Sequence, residues 1–145
     1  MKIKAIVFSL IMALMPITLW AGLTQPAPVT IDEENRIAQG DMVTARFSDN
    51  DQELIGCGVR KFSTGEDTVL SFAFCQARLA EDVNIVCNTQ NPELVNAIDS
   101  ISDYSFVTFS WNEENECTRI GNSTQSFYIP NFKLKKVKKK DNDDD

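Results

Sequence analysis

Between residues 52 and 89, apolar and polar positions alternate in three runs, QELIGCGVRKF, TVLSFAFCQAR and VNIVCNT, broken by STGED and LAED. Period-two alternation in β-branched and aromatic residues predicts strands, and the short polar gaps predict tight turns. The three runs therefore form an antiparallel meander at the centre of the domain. In the first, Ile55, Cys57 and Val59 share a face, with Gly56 and Gly58 between them. Glycines inside a strand mark a bulge or a close backbone approach. In the second, Val69, Ser71, Ala73, Cys75 and Ala77 line one face, and Leu70, Phe72, Phe74, Gln76 and Arg78 the other. Apolar groups on both sides predict a central strand covered on both faces. A turn at Ala80, Glu81 and Asp82 sets Leu79 opposite Val83 and Cys75 opposite Cys87.

The flanks carry weaker patterns. Residues 42–48 (MVTARFS) alternate Val43, Ala45 and Phe47 against Thr44, Arg46 and Ser48, a half-buried strand pattern ended by the turn formers SDND. Residues 91–102 predict the one helix. Asn91 caps it, Pro92 suits its first position, and Leu94, Ile98 and Ile101 recur at helical spacing. Residues 104–111 (YSFVTFSW) return to strand and NEENE forms a polar turn. CTRI is a short strand, Gly121, Asn122 and Ser123 a turn, and SFYI a closing strand ended by Pro130. The class is α+β, mostly antiparallel β: a small disulfide-stapled sheet or sandwich of about six or seven strands with one helix.

The 145 residues suit one domain. Residues 1–21 read as a signal peptide, with Lys2 and Lys4, an apolar run from Ile6 to Trp20, and small residues at Ala21 and Gly22. The run is shorter than the ~20 residues of a spanning helix and contains Pro16. No later segment is long and apolar enough to span. The expectation is a secreted or periplasmic protein with no membrane span after signal cleavage. Residues 22–41, with Pro26 and Pro28, are expected as a flexible lead-in that Ile31 and Ile37 anchor. Residues 42–132 form the single β-rich domain, and the charged tail 133–145 lacks the apolar content to fold.

Four cysteines in an exported chain point to two disulfides. Zinc is disfavoured because the chain has no histidine and no C-x-x-C. The register of the meander favours Cys75–Cys87, which leaves Cys57–Cys117. The rival pairing, Cys57–Cys75 with Cys87–Cys117, needs only a slightly different first turn and stays open.

The order Ile55-Gly56-Cys57, Cys75-Gln76-Ala77, Cys87, Ser102-Asp103-Tyr104 with Phe106 and Trp111, then Cys117, resembles that of small secreted bacterial β-rich proteins with two disulfides, known as uncharacterised hypothetical proteins. It covers roughly residues 43–130. The resemblance implies a stapled fold and brings no activity, cofactor or catalytic residue.

Charge and composition narrow the chemistry. Residues 22–132 hold 17 acidic and 6 basic side chains, a net of −11. Such a body repels nucleic acid and anionic membrane surfaces. Without histidine, Ser-His and Cys-His nucleophiles are excluded. Asp49 and Asp51, with Glu53 nearby, offer oxygen ligands for calcium, but the EF-hand register is missing and a plain Asx turn is the better explanation of the residues. Aromatics cluster late in the chain, where strand alternation usually means core. The reading is an exported, non-enzymatic binding module without a cofactor. It recognises a protein or glycan outside the cytoplasm, inhibition of a secreted enzyme being one form. Its expected contact surface is Trp111 with Glu113, Glu114 and Glu116 of the NEENE loop, joined by Tyr104 or Tyr128, and its acidity calls for a basic partner. The alternative is a small carboxylate-based hydrolase, metal-assisted in one version.

Overall fold

A computed structural model of the chain describes residues 22–65 and 68–130. The expected signal peptide and charged tail lie outside the described residues. Among the described residues, seven strands form two antiparallel sheets. One is four-stranded, in the order β1 (Thr30–Asp32), β2 (Ile37–Asp41), β6 (Ser105–Trp111) and β7 (Cys117–Thr124). The other is the expected meander of β3 (Leu54–Gly65), β4 (Thr68–Arg78) and β5 (Asn84–Thr89). Cys57 faces Cys75, Cys75 faces Cys87, and Leu79 N–H donates to the Val83 carbonyl at 2.9 Å.

The core is shared by both sheets and the main helix α2 (Pro92–Ile98). Ala38, Val107 and Phe109 of the larger sheet are buried with Ala73, Cys75 and Ala77 of the smaller one. Val95 and Ile98 of α2 complete it. The Asn91 side chain accepts from the N–H groups of Glu93 and Leu94, as its capping position requires. The helix stops at Ile98, short of the expected residue 102; Ser100 Oγ instead bonds the Ala97 carbonyl and accepts from Asn122 Nδ2 at 2.7 Å.

Four segments differ from the sequence expectation. Residues 22–41, expected as a flexible lead-in, supply β1 and β2. The turn between them is held by Asp32, which accepts from both the backbone and the side chain of Asn35. Residues 42–48, expected as a strand, begin with helix α1 (Met42–Arg46). Buried Asp41 decides this: its carboxylate accepts from Thr44 N–H at 2.7 Å and Thr44 Oγ1 at 2.5 Å, and also from Ala27 N–H at 2.6 Å. A carboxylate acceptor at the N-cap converts a short alternating run into a helical turn. Gly121, Asn122 and Ser123 form no turn, because each pairs with β6 and β7 runs through them. SFYI is a 3-10 turn at Ser126–Tyr128 and not a closing strand.

β4 is central, as expected, but covered on one face only. It pairs β5 over Ala73–Arg78 alone, so its first five residues and the far half of β3 extend past the third strand as a two-stranded ribbon. Both faces of that ribbon stay partly open, Val69 being 59% exposed on one. Leu70 stays 44% exposed.

Candidate binding surface

The cysteines join differently from the favoured expectation. Cys57 bonds Cys75 and Cys87 bonds Cys117, so the proposed Cys75–Cys87 and Cys57–Cys117 bonds do not form. The bonds are those of the rival pairing left open in the sequence, on the expected register, and the reason lies in the hydrogen-bond ladder. In antiparallel sheets, facing residues alternate between wide hydrogen-bonded pairs and narrow pairs whose side chains lie closer. Asn88 N–H donates away from β4, to the Asn115 carbonyl, which makes Phe74–Asn88 a narrow pair and Cys75–Cys87 a wide one. Cys75 then points its backbone groups at β5, leaving Cys57–Cys75 narrow, with Cα atoms 4.0 Å apart. Cys87 is left to reach across to Cys117 in the other sheet.

The expected contact residues are not brought together. Trp111 is 8% exposed and packs at 5.9 Å from Phe109, so it belongs to the core and not to a surface. The NEENE loop is exposed and ordered by its own bonds. Asn112 Oδ1 accepts from Glu114 and Glu116 N–H, its Nδ2 donates to the Glu116 carboxylate, and Glu113 pairs with Arg36 at 2.7 Å. Asn115 takes a left-handed φ of 58° to close the turn. Tyr104 precedes the other end of β6, about 23 Å away at ~3.3 Å per residue. Tyr128 stacks on Phe106 near that same distant end, at 5.8 Å, and is half-buried.

The SDND loop is likewise occupied by structural bonds. Glu53 accepts from Val29 N–H at 2.9 Å and Ser48 Oγ at 2.6 Å, while Asn50 accepts from Gln52 N–H and donates to the Leu79 carbonyl. Asp49 and Asp51 are exposed. Among the described residues no three His, Cys, Asp or Glu side chains gather as a metal site. A depression of about 590 Å³ between α1 and the start of β3 is lined by Arg46, Asp51, Glu53 and Asp103. Its Glu53 is tied down on both oxygens, by Val29 N–H and Ser48 Oγ.

A different surface stands out. On the outer face of the β3–β4 ribbon, Phe62 stacks on Phe72 at 5.7 Å, and Arg60 lies 5.2 Å from the Phe74 ring. The tip of the Phe74 ring in turn sits over Gly58, where a Cβ would meet it at 2.9 Å. A side chain at position 58 would lift that ring, so the glycine makes the flat aromatic row possible. Phe62 is 47% and Leu70 44% exposed. Leu70, Phe72 and Phe74 were legible in sequence as one face of a strand. What hid the surface was the assumption that an apolar face is covered; the usable signal was length, since β3 and β4 run 12 and 11 residues against 6 in β5.

Two disulfides place the folding of the chain in an oxidising environment. Among the described residues, no helix is long and apolar enough to cross a membrane. No family model, curated protein or solved structure matches the chain, so its likeness to secreted two-disulfide proteins rests on its strands and its two bonds alone.

Proposed function

We propose that the protein is an exported, non-enzymatic binding module that engages a partner protein through the outer face of the β3–β4 ribbon. The observation that carries this reading is the open row of Phe62, Leu70, Phe72 and Phe74, with Arg60 laid over it. Aromatic and arginine side chains dominate the energetics of protein interfaces, because they bring large contact area at modest entropic cost. The Cys57–Cys75 bond locks the root of the ribbon, so little order is lost on docking. The ribbon also holds Arg60 and Lys61 on a chain whose body is otherwise acidic, which favours a partner surface that is apolar with an acidic margin. Export is supported by the two disulfides together with the three-part pattern of residues 1–21.

The test is capture of exported proteins by the immobilised native chain, compared with a Leu70→Ser/Phe72→Ser variant of equal fold. Retention of a partner by the wild type and its loss in the variant is the expected outcome. Equal capture by both removes this face from the proposal, and turnover of any polymeric substrate by the pure protein removes the non-enzymatic reading.

A further inference from the structure

We infer that the free edge of β3 joins two copies of this chain, strand to strand and antiparallel, centred on Val59. Among the described residues, β3 is the outer strand of its sheet and pairs only with β4. The narrow Cys57–Cys75 pair fixes which backbone groups face outward. Cys57, Val59, Lys61 and Ser63 all sit at narrow positions opposite β4, so their N–H and C=O groups point away from it. No backbone bond from elsewhere in the described residues reaches Cys57, Val59 or Lys61. An edge of this length, without proline and with one lysine, is a template for another strand.

The side chains single out a second copy as that strand. In a two-fold antiparallel pairing about Val59, residue 57 faces residue 61 of the other copy, and 56 faces 62. Three wide pairs then exchange about six hydrogen bonds. The outer face is complementary as well. A Cβ at Gly56 would meet nothing within 4 Å, whereas its neighbour Gly58 is roofed by Phe74. Centring on Val59 sets the second copy's Phe62, 47% exposed in the single chain, opposite that bare glycine. It also sets the second copy's Arg60 opposite Gly58, beside the Phe74 ring. Other centres lose this match. Pairing about Arg60 or Lys61 puts like charges face to face, which is unfavourable, and pairing about Cys57 sets Gly56 against Gly58. The contact is isologous and closes at two chains, so it gives a dimer and not a fibre. It uses the strand edge, Gly56, Phe62 and Arg60, and it does not depend on Leu70 or Phe72 contacting another protein.

The experiment is sedimentation equilibrium on the purified, disulfide-intact protein over micromolar to millimolar concentration. The expected result is twice the chain mass. Val59→Pro removes one outward N–H that the β3–β4 ladder does not use, and it should sediment at the single-chain mass. Gly56→Val gives a second readout, because the single chain has room for the new side chain. It should keep the wild-type circular dichroism and both disulfides while the dimer dissociation constant rises about tenfold or more. A wild type that stays at single-chain mass throughout overturns the inference. So does a folded Gly56→Val protein that dimerises as tightly as the wild type.

Discussion

A single buried carboxylate organises the start of the described chain. Asp41 caps α1, holds Thr44 by backbone and hydroxyl, and takes the Ala27 N–H from the segment that precedes β1. Asp41→Ala should strand those donors and cost about 1–3 kcal/mol, read as a lower urea midpoint. Asp32 works at the surface in a smaller way. Hydrogen bonds from the Asn35 side chain and backbone hold its carboxyl below its ordinary value of 3.8. A carboxylate whose folded pKa is depressed adds stability above its unfolded pKa and loses it as pH falls through the folded one. Asn35→Ala should therefore raise the Asp32 pKa toward 3.8, a shift that NMR titration of the carboxyl carbon follows directly.

Among the elements, the meander and α2 were legible because their signals are local. Alternation, a turn and a cap each act within a few residues, and Asn91→Ala should cost α2 about 1 kcal/mol, measured by thermal unfolding. What misled was pattern whose meaning depends on distant partners. The alternation of residues 42–48 is only seven residues long, and the carboxylate of Asp41 outweighs it. Gly121, Asn122 and Ser123 have turn composition, yet β6 supplies pairing for all three. β2 needs β6, which lies more than sixty residues later, so nothing near residues 37–41 announces a strand. The aromatic row of the ribbon illustrates the same limit. Its alternation is visible, but whether a face is covered depends on how far β5 extends. Trp111 failed as a contact residue in the opposite direction: next to an exposed loop in sequence, it points into the core.

For the whole molecule, the two disulfides do different jobs. Cys57–Cys75 ties strands that the ladder already holds, across 18 residues, whereas Cys87–Cys117 spans 30 residues and joins the two sheets. Chain entropy alone gives the two bonds similar values, about 3 and about 3.6 kcal/mol. The native contacts they support are unequal. Where β5 meets β7, the backbone link is the Asn88 N–H bond to Asn115 and the bridge from Asn88 to Glu116. Replacing Cys87 and Cys117 by alanine should therefore lower the unfolding midpoint more than replacing Cys57 and Cys75, and it should broaden the transition as the sheets part.

The pairing also has a temporal side. The first cysteine joins the second and the third joins the fourth, so each bond closes between neighbours in order of synthesis. In a chain delivered from its amino end, Cys57 meets Cys75 before Cys87 has emerged. Where that bond closes first, Cys75 is no longer available when Cys87 arrives opposite it in the ladder. Cys87 then stays a thiol until Cys117 follows thirty residues later. An oxidant that simply joined cysteines as they appear would reach the native connectivity, so native pairing is expected without an isomerase, which oxidation of the nascent chain in the presence and absence of one would check.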